Sequence, residues 1–494
     1  MIVYTKEAAP SLGKTYGAIK HIKESGDKWI IASISKELGK QTYKLCKEFG
    51  IEKVMIINSD SDYVGGTFNR FKECLRDEEA DVIIITQVLL EMTYKQGLDF
   101  SKYNLLIDEV PNNFVSVDIA NQIIEDETTV IMQYLTNTGV KVQGQWVREI
   151  FKLRQGKENA LRERVDHLKS RKDNTLSPKM VGLYEYLLLG GAIQRWQKDT
   201  DNYKASYCFV KIVDPIILLE NFNKVILVAS NIKTTLVGLV WSNIFKVNFM
   251  DYPDITLRSP VLPNTNKITI YPMLKDANLS KYLLEKPDKD GILFDTVLRK
   301  ALSLVEGDPF MYVVNNYRDV TLKGSKVPVQ SHGLNNYSHI SNSICLFSYN
   351  PDNFTRYILE DLAEHFKLPK DLFVQGYITS NYMESTFQNA TRGSIRNHSC
   401  NKKVKIIVGD LRCAEYLVDT WFSDAKIDLS ECVCLPDKNK GGRPIGFPKM
   451  FDMDNSERGK FNRMQNKLKE KLDINKVQDY EYVRQWIREV RGIE

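Results

Sequence analysis

The stretch Ala8-Ala9-Pro10-Ser11-Leu12-Gly13-Lys14-Thr15 follows a short apolar run, Ile2 to Tyr4, and opens a segment of helical spacing, Lys14 to Lys23. Glycine, lysine and a hydroxyl in that order, between a strand and a helix, make the phosphate-loop pattern, here with Ala8 in place of its first glycine. The chemistry asks for these residue types. Gly13 carries no Cβ, so the backbone can approach a phosphate closely, and the loop N–H groups and the helix N-terminus then face the anion. Lys14 reaches the β and γ phosphates, and the Thr15 hydroxyl coordinates Mg²⁺. Ala8, Ser11, Gly13, Lys14 and Thr15 are therefore the candidate binding residues for ATP with Mg²⁺.

Outward from this loop, apolar β-branched runs alternate with helical stretches. Strands are expected at Trp29 to Ser33, Lys53 to Ile57, Val82 to Ile85 and Leu105 to Ile107, with helices between them, and Val225 to Ala229 reads as a strand returning to the same sheet. Such alternation predicts a parallel sheet covered by helices. One of these strands ends in Asp108-Glu109-Val110-Pro111, some 95 residues beyond the loop. Two carboxylates at the carboxyl edge of an open α/β sheet stand where ligands bind. Asp108 is the candidate Mg²⁺ ligand and Glu109 the group that polarises an attacking water.

A second βα series begins near residue 260, with strands at Ile268 to Tyr271, Phe310 to Val314, Ile344 to Ser348 and Val404 to Val408. The expected organisation is a first α/β domain over 1–255 carrying a largely helical insertion at about 114–220, a second over 256–430, and a basic helical C-terminal extension over 431–494. In that extension Ser456 is the expected N-cap of a helix reaching Leu472.

The chain has 494 residues, 43% of them hydrophobic and 27% charged, with a net charge of +5. These values exclude collagen-like, disordered and disulfide-stapled classes. No run of 18 apolar residues occurs, so no membrane partner is expected. The first residues lack a basic-then-apolar leader, and the eight cysteines show no C-x-x-C pair, which together suggest a cytoplasmic setting. Basic charge is local. Between Arg148 and Lys172 nine Lys or Arg face four Asp or Glu, and from Glu431 onward fourteen face eleven. Arg148 and Lys152, four apart, share one face of a helix, and Arg154 adds charge beside it, so the three are candidate phosphate contacts of a polyanion.

Taken together, the segments resemble superfamily 2 DNA helicases, and in particular those encoded by bacteriophages or plasmids. Ala8 to Thr15 and Leu105 to Pro111 resemble motifs I and II. Ala32-Ser33-Ile34 with Leu38 and Gln41 resembles motif Ia, Thr86-Gln87 motif Ib/Ic, Ala229-Ser230-Asn231 motif III, and Phe310 to Asn315 motif IV. His332-Gly333-Leu334-Asn335 resembles motif V, and Gln388 to Arg396 motif VI. The likeness spans residues 1 to about 410. It departs from the family where Thr391 replaces a glycine, where the second arginine comes one residue late, and where motif III lacks its threonine.

The resemblance implies two RecA-like parallel-sheet domains in tandem, with ATP hydrolysis coupled to movement on single-stranded and forked DNA. It places Gly333 beside the nucleotide and Gln388, Arg392 and Arg396 across the cleft from it, with Arg396 as the finger and Arg392 as the γ-phosphate sensor. It also implies replication proteins as partners and, for a phage-encoded enzyme, the host cytoplasm. Only seven residues precede motif I, so no upstream adenine-reading segment is expected; how adenine is recognised stays open, with Tyr4 and Tyr16 as the candidates to stack on it. Three other readings share these motifs: an RNA helicase, a nucleotide-dependent origin-binding protein, and a plain phosphate-loop ATPase.

Overall fold

The structure, a computed structural model, describes residues 1–60, 66–120, 130–143, 146–170, 177–198, 206–259, 261–288, 291–329, 336–397, 401–435, 453–468, 472 and 477–491. The chain forms two compact units. One combines Met1–Phe114, Val213–Pro351 and Phe373–Lys438; the other combines Val115–Ile212, Asp352–Leu372 and Asn439–Glu494.

The first unit holds two parallel sheets in tandem, the α/β architecture that the alternating pattern predicts. In the first sheet the spatial order is Asn248–Asp251, Ile2–Glu7, Val225–Ala229, Asn104–Asp108, Trp29–Ser33, Val82–Thr86 and Val54–Ile56. Every pairing is parallel. The central strands are apolar on both faces because helices cover both, and Ile19, Trp29, Ile31, Ile84, Leu106 and Val228 meet in one core. The edge strand Asn248–Asp251 is short and mostly exposed, and its two central apolar residues, Phe249 and Met250, are too few to read as a strand. In the second sheet the order is Ser325–Lys326, Phe310–Val314, Asn342–Leu346, Val404–Asp410, Ile268–Leu274 and Lys426–Ile427, again all parallel.

This topology positions the loops. The strand Val225–Ala229 lies between Ile2–Glu7 and Asn104–Asp108, with Glu7 opposite Ala229 and Val228 opposite Asp108. The phosphate-loop segment, the Ser230-Asn231 turn and the Asp108-Glu109 pair therefore leave the same carboxyl edge side by side.

The other unit corrects the expectation of a largely helical insertion. It contains a five-stranded antiparallel sheet in the order Val115–Ala120, Ser206–Ile212, Ile193–Lys198, Trp146–Leu153 and Leu135–Gln143, with helices Glu158–Ser170 and Ser177–Leu188. The spacing of Arg148 and Lys152 suits a strand as well as a helix, since positions four apart share a face in both. Arg148 is also not a surface cation. It is 3% exposed, stands 4.2 Å over the Tyr357 ring and lies 3.9 Å from Asp361. Gln194 Nε2 donates to the same carboxylate at 2.6 Å. Lys152 and Arg154 are exposed. The opposite side of the hairpin is apolar: Val140 and Val147 cluster with Met453, Phe461, Val483 and Ile487 of the C-terminal segments. Helix Asn455–Lys467 starts two residues earlier than expected, because Asp454 rather than Ser456 caps it in a reciprocal pair with Glu457.

Removing one member of a buried ion pair strands the other charge. Arg148→Ala should therefore destabilise the second unit by about 3–5 kcal/mol, and Arg148→Met combined with Asp361→Leu by less than either charge-stranding single variant. Denaturant unfolding followed through Trp196, which packs on Phe354 at 4.3 Å between ring centroids, checks this.

Candidate active site

Glycine is required at 13. The residue sits at φ 88°, and a Cβ there would stand 2.8 Å from Arg258 Cγ. Ser11 is likewise left-handed at φ 72°. The following helix Lys14–Ser25 has Gly13 as its N-cap with no side chain over its first amides, which leaves them open to an anion. Ala8 is anchored by its N–H to Ala229 O at 3.1 Å, so the loop is tied to the neighbouring strand.

Lys14 is 6% exposed. Its Nζ donates to Ala8 O at 2.6 Å and Ala9 O at 3.2 Å. Burial pushes its pKa down, while Glu109 and Asp108 pull it back. Asp108 is 1% exposed and lies 3.3 Å from the Thr15 hydroxyl through either carboxylate oxygen. Burial, and next the charge of Glu109, push the Asp108 carboxyl up to about 7, against the pull of Lys14 and Thr15. Thr15 and Asp108 thus form a small oxygen-donor set. A hydroxyl and a carboxylate suit Mg²⁺ held mainly by substrate phosphates and water, not a metal caged by protein alone. The burial of Asp108 supports that fit, since a cation would relieve it.

Glu109 turns into the left-handed region at φ 73°. Its N–H donates to Val228 O at 2.8 Å. Gln87, which opens helix Gln87–Met92, clamps the turn: its Nε2 donates to Asp108 O at 3.1 Å and Glu109 O at 2.8 Å. The sequence places Thr86-Gln87 only as a motif; its work here is to hold the two acids in place.

From the other sheet's side, a helical run carries Leu372–Ile378, a π turn at Thr379–Met383, and Glu384–Ala390. Gln388 Nε2 reaches Glu109 Oε2 at 3.5 Å. Arg392 is 7% exposed, and the Arg396 Nε–H donates to Thr391 O. Burial lowers the guanidinium pKa to about 10 at Arg392 and about 9 at Arg396, with the Glu109 carboxylate pulling both back up. Both stay charged at neutral pH, and both sense the same acid. Lys14, Thr15, Asp108, Glu109, Gln388, Arg392 and Arg396 are thus brought to one place. Gly333 and the rest of 330–335 lie outside the described residues. Tyr4 stands edge-on to Tyr252 at 5.4 Å. Tyr16 carries the Arg258 guanidinium 3.5 Å over its ring, a partner no sequence pattern flagged.

No protein-family model matches the chain, and no curated protein matches it. Among solved structures, S. tokodaii Xpd4 is similar over 86% of this chain and 96% of its own, at 12% identity and a TM-score of 0.46. A variant of S. cerevisiae Dbp5 bound to RNA and ADP BeF3 is similar over 87% of this chain and 85% of its own, at 11% identity and a TM-score of 0.30. A DEAD box protein from Methanococcus jannaschii gives 10% identity and a TM-score of 0.28 over 86% of this chain and 88% of its own. Likenesses this remote carry no argument about function, which rests on the site itself.

The raised Asp108 carboxyl has a signed consequence. Between about pH 4 and pH 7 the folded protein holds a proton there that the unfolded chain has lost, so this group favours folding at low pH and that contribution disappears as pH rises through 7. Asp108→Asn should therefore stabilise the ligand-free protein more at pH 8 than at pH 5, by roughly 3 kcal/mol of difference, and raise the melting temperature accordingly. Thermal melts of the two proteins across pH 5–8 measure the difference.

Proposed function

We propose that the chain is an ATP-dependent superfamily 2 motor, a DNA helicase or translocase that moves on single-stranded DNA and unwinds duplexes. The observation that carries this is Gln388 Nε2 at 3.5 Å from Glu109 Oε2, with Arg392 buried and Arg396 half-buried, both in the field of that carboxylate. Groups from two tandem sheets meet where phosphates would lie. Phosphoryl transfer needs positioning and charge neutralisation more than covalent help.

On this reading Lys14 exchanges the Ala8 and Ala9 carbonyls for β- and γ-phosphate oxygens. Thr15 and Asp108 hold Mg²⁺, which neutralises charge on the phosphates. Glu109 takes the proton of the attacking water, and Gln388 fixes the orientation of the Glu109 carboxylate. Arg396 acts as the finger on the γ-phosphate and Arg392 as its sensor, their planar forks binding oxygens bidentately. Loss of the γ-phosphate removes what draws the arginines in, so each cycle shifts one domain against the other along the strand. Forked DNA in replication or recombination of a phage or plasmid genome, in the host cytoplasm with replication proteins, is the setting this motif set suits.

Lys14→Ala should cut ATP turnover on the order of 10³-fold. Glu109→Gln should keep ATP binding near normal and lose hydrolysis, while Arg392→Ala and Arg396→Ala should lower kcat with little loss of ATP affinity. Steady-state kinetics, with strand displacement on 3′- and 5′-tailed DNA and RNA duplexes, decide both the activity and the nucleic acid. Turnover of Lys14→Ala within tenfold of wild type would sink the assignment.

Lys152 and Arg154, the two exposed residues of the three candidate contacts, are proposed as phosphate contacts; Arg148 is not, because its burial leaves it no solvent face. Replacing both with Gln should flatten the log K against log[salt] slope for single-stranded DNA by up to about 1.4, at roughly 0.7 per contact. Binding titrations from low to physiological salt read this out.

A further inference from the structure

Glu384 lies one helical turn before Gln388, and nothing above gives it a task. It is 6% exposed. Its carboxylate is shared between two parts of the first unit. Oε2 accepts the hydroxyl of Ser230, in the turn after strand Val225–Ala229. Oε1 accepts the Tyr416 hydroxyl and, at 3.3 Å, the Trp421 indole N–H. The Tyr416 hydroxyl in turn accepts Asn231 Nδ2 at 2.9 Å, so both residues of the turn enter the network. Trp421 is stacked on Phe387, with 4.6 Å between ring centroids and 6° between planes.

The same helical run is fastened at two further points on one face. Ser380 Oγ accepts the Leu236 N–H at 2.9 Å. Gly376 approaches helix Leu236–Asn243 so closely that a Cβ would stand 3.0 Å from Leu236 Cα. Positions 376, 380, 384 and 388 are four apart, and a helix of 3.6 residues per turn would let such a series drift around its surface. The π turn at Thr379–Met383 adds a residue to one turn and keeps the series aligned. The run is thereby held to the 230–243 segment along the line that ends in Gln388.

Burial pushes the Glu384 carboxyl pKa up, and the Ser230, Tyr416 and Trp421 donors pull it down. A carboxylate is suited to the position because it accepts on both oxygens.

We infer that Glu384 is a positioning residue: it ties the helix of Gln388 to the Ser230-Asn231 turn and so sets where Gln388, Arg392 and Arg396 stand relative to Glu109. This rests on the proposed ATP hydrolysis. An alanine at 384 releases all three donors. A glutamine keeps them, since its Oε1 accepts from Tyr416 and Trp421 while its Nε2 donates to Ser230 Oγ.

The test is steady-state ATP kinetics of Glu384→Ala, Glu384→Gln, Ser230→Ala and the Ser230→Ala/Glu384→Ala double variant. Glu384→Ala should lower kcat roughly tenfold or more, with KM for ATP within about twofold of wild type. Glu384→Gln should restore most of the loss. The double variant should be no worse than Glu384→Ala, because both break one link. Trp421 supplies a readout that needs no turnover: its emission should shift in Glu384→Ala without nucleotide, and the shift should vanish when Trp421→Phe is added. A folded Glu384→Ala enzyme with wild-type kcat overturns the inference, as do losses from Ser230 and Glu384 that multiply. If Glu384→Ala does not fold, Ser230→Ala and Tyr416→Phe carry the test, each expected to cost kcat severalfold at unchanged KM, and normal kcat in both overturns it. A wild-type protein without ATP turnover defeats the proposed reaction, while the Trp421 signal still decides whether the link exists.

Discussion

The burial of Asp108 at the end of a central strand is the constraint on which the rest of the site depends. A carboxylate there is flanked by strands on both sides, 1% exposed, and faced by a second acid in the next residue. Burying a charge in this way is costly unless something offsets it. The Thr15 hydroxyl and the field of Lys14 offset it only in part, and the carboxyl is left near 7. Lys14 is in the complementary position, a buried cation whose Nζ is turned to two loop carbonyls. Asp108 and Lys14 together complement a ligand that brings a cation to the carboxylate and anionic oxygens to the ammonium; on the proposed reading that ligand is a metal-bound polyphosphate.

The same logic extends to the second sheet's contribution. Burial draws down the pKa of both Arg392 and Arg396, the Arg392 charge lowers Arg396 further, and the acid that supports both is Glu109, on the first sheet. Two guanidiniums near one carboxylate leave a local surplus of positive charge at the point where, on the proposed reading, the γ-phosphate sits. What fixes them there is mechanical. The helical run before them is held at Gly376, Ser380 and Glu384 to the segment that leaves strand Val225–Ala229, the strand lying between the phosphate-loop strand and the Asp108 strand. Small displacements of that turn therefore reach the arginines through a packed connection and not through a flexible loop.

Much of this was legible in the sequence because the physics involved is local or periodic. Buried parallel strands must be apolar throughout, and so Trp29–Ser33, Val82–Thr86, Asn104–Asp108 and Val225–Ala229 stand out as runs. A loop that must admit phosphate needs Gly13, and the lysine and hydroxyl follow at fixed spacing. The parts that were not legible depend on partners distant in sequence. Nothing near Gln87 says that its amide will clamp the Asp108 and Glu109 carbonyls. Nothing near Glu384 announces Ser230, 154 positions away, or Tyr416. The edge strand Asn248–Asp251, with only Phe249 and Met250 apolar, carries no long apolar run because an edge has one neighbour and a wet side.

The insertion shows why a charge count can mislead even when the count is right. Between 148 and 172 the excess of basic residues is real, yet a strand covered on both faces removes its charged side chains from solvent one by one. Arg148 goes inward because three things are available to it on helix Asn353–His365 and its neighbours: the Tyr357 ring, the Asp361 carboxylate, and a second hydrogen bond that Gln194 supplies to that carboxylate. Arginine tolerates this better than lysine would, since its guanidinium is more weakly hydrated and stacks on aromatic faces. Lys152, four residues further along the same face, stays exposed. Both residues are cations on one face of one strand; beyond the difference in side chain, what separates a structural cation from a surface one is whether another element of the fold covers it, and that element is some 200 residues away in the chain.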